Sequence, residues 1–163
     1  MDQKDAERAH DNHVYQACGL ALRWAQLFEA EIVNVLLFRS LARKKFLVRS
    51  EAEAFLIHTE KRPLRQLLGE VLERVRFEPD MTSTFVEAIE QRNFLAHKYF
   101  WDGMEDFATK EGRDCMIEEL HELTQLFYSA HRFSSMITRL YVEQLGVSGE
   151  AIEREMGRLK NTT

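Results

Sequence analysis

Hydrophobic residues recur along most of the chain at intervals of three and four, which is the spacing of one face of an α-helix. Two of these runs are long. The first predicts a helix that ends at about Arg43. The second predicts a helix over about 113–145, with Thr109 near its start and Gly146 as a natural C-cap.

Shorter helices are predicted between and after the long ones, over about 50–58, over about 63–75, from residue 80 or 83 onward, and over 148–160. Ser50 followed by Glu53 has the capping-box pattern of a helix start. Pro63 suits a first helical turn, where a missing N–H costs nothing. The residues Trp101, Asp102 and Gly103 are expected to loosen the helix that begins near residue 80.

The fold class follows from the helical spacing of the apolar residues and from the lack of any strand-like alternation. No stretch alternates in the period of a β-strand, and only 7 Gly and 2 Pro interrupt the 163 residues. We therefore expect an all-α protein, an up-and-down bundle of four to five main helices. The length suits a single domain over 1–163, with its core over about 15–145.

Charge is distributed unevenly. The net charge of −5 argues against a protein that simply coats nucleic acid. However, residues 39–76 contain ten Lys or Arg against five Asp or Glu, a local excess of +5. This excess indicates either a solvated helix face or a patch that attracts phosphate.

Other features narrow the class of protein. The polar first residues do not resemble a signal peptide, and the most apolar run, 32–38, is too short to cross a membrane. Two cysteines, Cys18 and Cys115, form no CxxC pair and are expected to be buried thiols in a reducing cytoplasm. Spacings at 10–13 (HxxH) and 118–121 (ExxH) lack further ligands, so no metal or cofactor is expected.

One segment, residues 90–100, carries the candidate chemistry. At about 100° per residue, Arg92, Asn93 and His97 fall on one broad face of a helix, with the small Ala96 between them. On a two-fold symmetric dimer each Arg92 would approach the His97 of a second copy. Arg92 would grip a phosphate and stabilise its developing charge, Asn93 would contact or orient it, and His97 would transfer a proton. Such a site suits metal-free cleavage of RNA.

The same residues also permit a structural interpretation. Arg92 would then pair with Glu90 or with a neighbouring helix, and His97 would be an ordinary polar residue with its hydrogen bonds satisfied.

Residues 92–99, RNFLAHKY, resemble the signature of the HEPN superfamily (higher eukaryotes and prokaryotes nucleotide-binding). The signature is an Arg, a polar residue and a His after four intervening positions. The resemblance implies a bundle of four to five helices that dimerises through the motif helices, with Arg92 and His97 catalytic and Asn93 supporting them. Many members are metal-independent ribonucleases of toxin–antitoxin, abortive-infection and other defence systems, whereas others bind nucleotides or partners without catalysis.

Tyr99, two residues after the His, resembles the tyrosine of a toxin subgroup paired with minimal nucleotidyltransferases. The resemblance implies that Tyr99 is a nucleotidylation acceptor and that such an antitoxin is a partner. The alternative is an aromatic side chain packed at the dimer interface. Three hypotheses thus remain open at this stage: a ribonuclease, a catalytically silent nucleotide- or partner-binding HEPN dimer, and a plain helical interaction protein.

Overall fold

The computed structural model describes residues 3–43 and 49–146. These residues form seven α-helices and no strand, so the predicted all-α class is confirmed. The helices are α1 (Gln3–Ala42), α2 (Arg49–Glu60), α3 (Leu64–Arg74), α4 (Pro79–His97), α5 (Tyr99–Asp102), α6 (Met104–Phe107) and α7 (Lys110–Gln144). The helix predicted over 148–160 lies outside the described residues.

Successive main helices alternate in direction. The two longest helices, α1 and α7, run parallel, because His10 contacts Asp114 and Trp24 contacts Tyr128. α4 runs antiparallel to α7, since Phe85 meets Phe133 whereas residues further along α4 lie beside 119–126 of α7. α3 also runs antiparallel to α4, because Arg65 contacts Glu90 whereas Phe77, just after α3, contacts Phe85; the short α2 connects α1 to α3.

Aromatic rings occupy the centre of the bundle. Phe28 of α1 and Phe85 of α4 are both fully buried and stack with their ring centroids 5.9 Å apart. Phe77 and Phe133 approach Phe85 edge-on, at 5.3 and 6.4 Å. Offset and edge-on contacts are the favoured arrangements of aromatic rings, so α4 is held between α1, α7 and the loop that precedes it.

The polar start of the chain is helical and attached to the core, which the sequence did not predict. α1 begins at Gln3, and Val14 is completely buried. His10 lies 2.9 Å from Asp114, and Asp11 lies 3.5 Å from Arg113. The first turns of α1 therefore lie against α7, which runs parallel to α1 and supplies polar partners for them.

The ends of the helices follow local chemistry in most cases. Thr109 caps α7, where its hydroxyl accepts a hydrogen bond of 3.0 Å from the Gly112 N–H. Gly146 takes the positive φ of 76° that ends many helices, as predicted. Ser50, by contrast, lies inside α2, which begins one residue earlier.

The two cysteines differ in environment. Cys18 is buried, and burial raises the pKa of its thiol. Cys115 is exposed, so the expectation that both thiols are buried is wrong for Cys115. No helix in the described part of the chain is long and apolar enough to span a membrane.

Gly112 provides a test of the packing between α6 and α7. A Cβ atom at Gly112 would overlap the backbone of Asp106, which cannot move aside as a side-chain end can. We predict that Gly112→Ala lowers the free energy of unfolding by about 1–3 kcal/mol, measured by urea denaturation. The control is Gly69→Ala in α3, where nothing lies within 4 Å; it should gain up to about 1 kcal/mol from helix propensity. Equal effects of the two substitutions would contradict the close approach.

Candidate functional site

The candidate site lies on α4, near its C-terminal end. Pro79 occupies the first turn of α4, and buried Phe85, Ala88, Ile89 and Leu95 fix the face that the helix turns to the core. α4 ends at His97, because Lys98 leaves the helical region with φ −131° and ψ −25°. The break at Lys98 comes three residues before Trp101, where loosening was expected, and it places Tyr99 on a separate short helix.

The three polar residues of the motif share the outward side of α4, as the helical spacing predicted. Asn93, Ala96 and His97 are exposed, and Leu95 is buried with 5% of its surface accessible. The Arg92 side chain is 28% exposed. A ligand approaching this side of α4 therefore meets all three groups without displacing the core.

Arg92 is held by Glu29, a residue that no sequence motif indicates. One guanidinium nitrogen, Nη2, donates to Glu29 Oε2 of α1 at 2.8 Å. The other, Nη1, donates to Asn93 Oδ1 at 3.1 Å. Glu90, the partner suggested from the sequence, pairs with Arg65 instead, at 3.4 Å. A contact between residues 63 positions apart leaves no periodic signal, so only the structure reveals Glu29.

The arginine retains capacity to bind an anion. A guanidinium has five N–H donors, and the contacts with Glu29 and Asn93 occupy two of Arg92's. Because both partners of the ion pair are about one-third exposed, the pair contributes at most about 1 kcal/mol of stability. Its main effect is to orient the fork of the guanidinium and to offset its charge.

Tyr99 is positioned very differently from the exposed residues of the motif. It is 97% buried, and its hydroxyl lies 3.0 Å from Met116 O and 3.3 Å from Glu119 Oε2, both on α7. Burial, reinforced by the Glu119 carboxylate, raises the pKa of the phenol above its usual range. Nucleotidylation of Tyr99 remains a prediction, and it requires the phenol to become more accessible than its 3% exposure allows.

An exposed apolar surface begins directly after the motif. Trp101 is 77% exposed and Met104 is 59% exposed. Phe100, whose outer part is also exposed, packs underneath against Tyr15 at 5.8 Å and Phe107 at 6.0 Å. Apolar side chains grouped on a surface commonly mark an interface.

The histidines whose spacing resembles that of a metal site make other contacts or have too few neighbouring ligands. His10 pairs with Asp114, and His13 and His121 line a shallow cleft between α1 and α7. Within 3–43 and 49–146, no group of three or more His, Cys, Asp or Glu side chains is arranged to hold a metal ion.

Comparison of the chain with protein-family models, curated proteins and solved structures gives no match. The fold itself defines an all-α helical bundle.

The environment of Tyr99 predicts a pH-dependent contribution to stability. A phenol whose pKa is higher in the folded state stabilises that state fully below its unfolded pKa of about 10, and the contribution falls as pH rises above that value. Tyr99→Phe also removes a buried hydrogen bond, worth about 1 kcal/mol at neutral pH. The difference in unfolding free energy between wild type and Tyr99→Phe should therefore shrink between pH 9 and pH 11. A difference that is constant over that range would contradict the buried, bonded hydroxyl.

Proposed function

We propose that this chain is a homodimeric, metal-independent endoribonuclease of the HEPN type that acts in the cytoplasm. The observation that carries the proposal is the placement of Arg92, Asn93 and His97 together on the solvent-facing side of α4. These three side chains supply a phosphate-binding cation, a polar group and a proton carrier without a metal.

The chemistry requires each group at a stated atom. His97 takes the proton of an RNA 2′-hydroxyl, and the resulting oxygen attacks the adjacent phosphorus. The bond to the 5′-oxygen breaks, that oxygen receives the proton carried by the His97 imidazolium, and a 2′,3′-cyclic phosphate remains. Arg92 stabilises the charge that builds on the phosphoryl oxygens, and Asn93 keeps the guanidinium in place through its 3.1 Å contact.

A second copy of the chain would complete the site. Arg92 and His97 are five residues apart, or about 7.5 Å along the helix axis, so one helix presents them as separate groups. Exposed Trp101 and Met104 provide an apolar surface next to them. Exposed charges of opposite sign flank these two residues along the chain: Lys98 precedes them, and Glu105 and Asp106 follow them. An arrangement of this kind is self-complementary under two-fold symmetry.

The Arg92–Glu29 pair favours a second candidate function. A guanidinium already paired with a carboxylate has less to gain from a scissile phosphate, which suits a catalytically silent HEPN dimer that binds a nucleotide or a partner. A nucleotidyltransferase antitoxin that modifies Tyr99 would be a partner of the ribonuclease form only. Cleavage of RNA separates the two functions.

The first test of the ribonuclease is cleavage of a labelled single-stranded RNA in the presence of EDTA. We predict that Arg92→Ala and His97→Ala each reduce the rate about 100-fold or more, because each removes a group that acts in the transition state. Matched controls are Arg76→Ala and His58→Ala, which remove exposed residues of the same types elsewhere on the surface. Absence of wild-type cleavage, with the dimer present, would leave the silent module as the function.

Mixing the two inactive variants tests whether the site is composite. In a mixed dimer one site contains both substitutions and the other contains intact Arg92 and His97 from different copies. After free exchange of subunits, activity should return to about a quarter of the wild-type value. No recovery from an exchanging mixture would mean that each site lies within one chain.

Trp101 should anchor the dimer. A charged side chain in an apolar contact is strongly unfavourable, and buried tryptophans commonly dominate interfaces. We predict that Trp101→Glu weakens dimerisation by about 2 kcal/mol or more, roughly thirtyfold in Kd, measured by light scattering across a dilution series. The control is Leu140→Glu, which introduces the same charge at another site that is 58% exposed. A dimer unaffected by Trp101→Glu would place the interface elsewhere.

A further inference from the structure

A cleft between α1, α2 and α3 adjoins the candidate site and has no role in the proposed chemistry so far. Its volume is about 320 Å³, near the lower end of the roughly 300–1,000 Å³ typical of small-molecule sites. Apolar walls are contributed by Val33, Leu56 and Leu67. Polar residues that also line it and keep accessible surface are Gln26, Glu29, Asn34 and Arg62. An apolar cleft with a few polar groups is the usual composition of a ligand site.

Glu29 connects this cleft to the motif. It lines the cleft, and its Oε2 atom accepts the 2.8 Å hydrogen bond from Arg92. The ion pair between Arg65 and Glu90, at 3.4 Å, holds the start of α3 beside α4. A phosphate on Arg92 is thus next to the residue, Glu29, that lines the mouth of the cleft.

The polar groups of the cleft suit a flat ligand with both donors and acceptors on its edge. Thr59 is fully buried and its hydroxyl donates to Phe55 O at 2.7 Å, so this group is satisfied within α2 and the accessible polar groups are those of its neighbours. Asn34 donates through Nδ2 to Glu31 at 3.1 Å, so its carbonyl oxygen remains an acceptor. The exposed Gln26 amide offers both functions.

The charged side chains at the mouth of the cleft suit a nucleotide. The negative charge of Glu29 is offset by Arg92, and only one of its two oxygens is used by that contact. Arg62, on the α2–α3 connection, donates to Glu70 through Nη1 at 2.8 Å and keeps further N–H donors. A hydroxyl of a ribose can donate to the remaining Glu29 oxygen, and a phosphate outside the cleft can reach arginine on either side.

We infer that the α1–α2–α3 cleft binds the nucleoside of the nucleotide whose phosphate contacts Arg92. Leu56 and Val33 contact the faces of the base, and the amide groups of Asn34 and Gln26 meet its edge. This inference rests on the proposed function for the role of Arg92, and it adds a subsite that selects among bases. The excess of basic residues over 39–76 then acts locally, through Arg62 and Arg65 beside the motif.

Binding of small ligands to the full-length protein tests the subsite. The probes are the four nucleoside 3′-monophosphates and inorganic phosphate, titrated by calorimetry. Wild type should bind at least one nucleotide about tenfold more tightly than phosphate. Leu56→Trp fills the cleft and should reduce that preference to within about twofold. The matched control is Leu140→Trp, which fills a cleft of about 310 Å³ between the α3–α4 loop and α7 and should keep the preference.

A second variant tests the cleft independently, so that the result does not depend on whether Leu56→Trp folds. Gln26→Leu removes polar groups from an exposed position at nearly constant size, and it should lower the preference for nucleotide without changing the thermal midpoint. The inference is overturned if wild type binds no nucleotide better than phosphate, or if the preference survives in both cleft variants.

RNA cleavage distinguishes this failure from failure of the proposed function. If the protein cleaves RNA but binds all nucleotides no better than phosphate, the proposed ribonuclease activity stands and the proposed base subsite is wrong. If the protein does not cleave RNA but prefers one nucleotide, and the cleft variants abolish that preference, the base subsite stands and the ribonuclease activity is wrong.

Discussion

The parallel packing of α1 against α7 is the constraint on which the remaining structure depends. Their contact is the most extensive between any two helices of the described residues. Parallel helices need a connection that returns across the full length of the bundle, and the intervening helices provide it. α4 is the longest helix of that connection and runs antiparallel to both α1 and α7. Its position is fixed because Phe85 stacks on Phe28 of α1 and meets Phe133 of α7 edge-on.

This constraint also determines what the motif can do. With its apolar face committed to α1 and α7, α4 must turn Asn93 and His97 outward. The neighbouring α1 places Glu29 where it can hold Arg92, and the same helix forms one wall of the cleft beside it. The candidate chemistry is therefore a consequence of how three distant segments meet, although its residues lie close together in the sequence.

The fold was largely predictable because helical periodicity is a local signal. The spacing of apolar residues predicted the main helices, and Thr109 and Gly146 marked the ends of α7 correctly. The helical wheel also placed Arg92, Asn93 and His97 on one side. The contact of Glu29 with Arg92 and the attachment of the first turns of α1 were not predictable, since they depend on which helices become neighbours. The break at Lys98 has no Gly or Pro to signal it, and it separates buried Tyr99 from exposed His97.

The order of the helices along the chain has a consequence for how the protein is made. α1 is synthesised well before α7, the helix with which it makes its most extensive contact. Pairings between segments so far apart in sequence form late and expose apolar surface in the meantime. During synthesis α1 therefore has only the nearer helices α2, α3 and α4 for partial cover until α7 has been made.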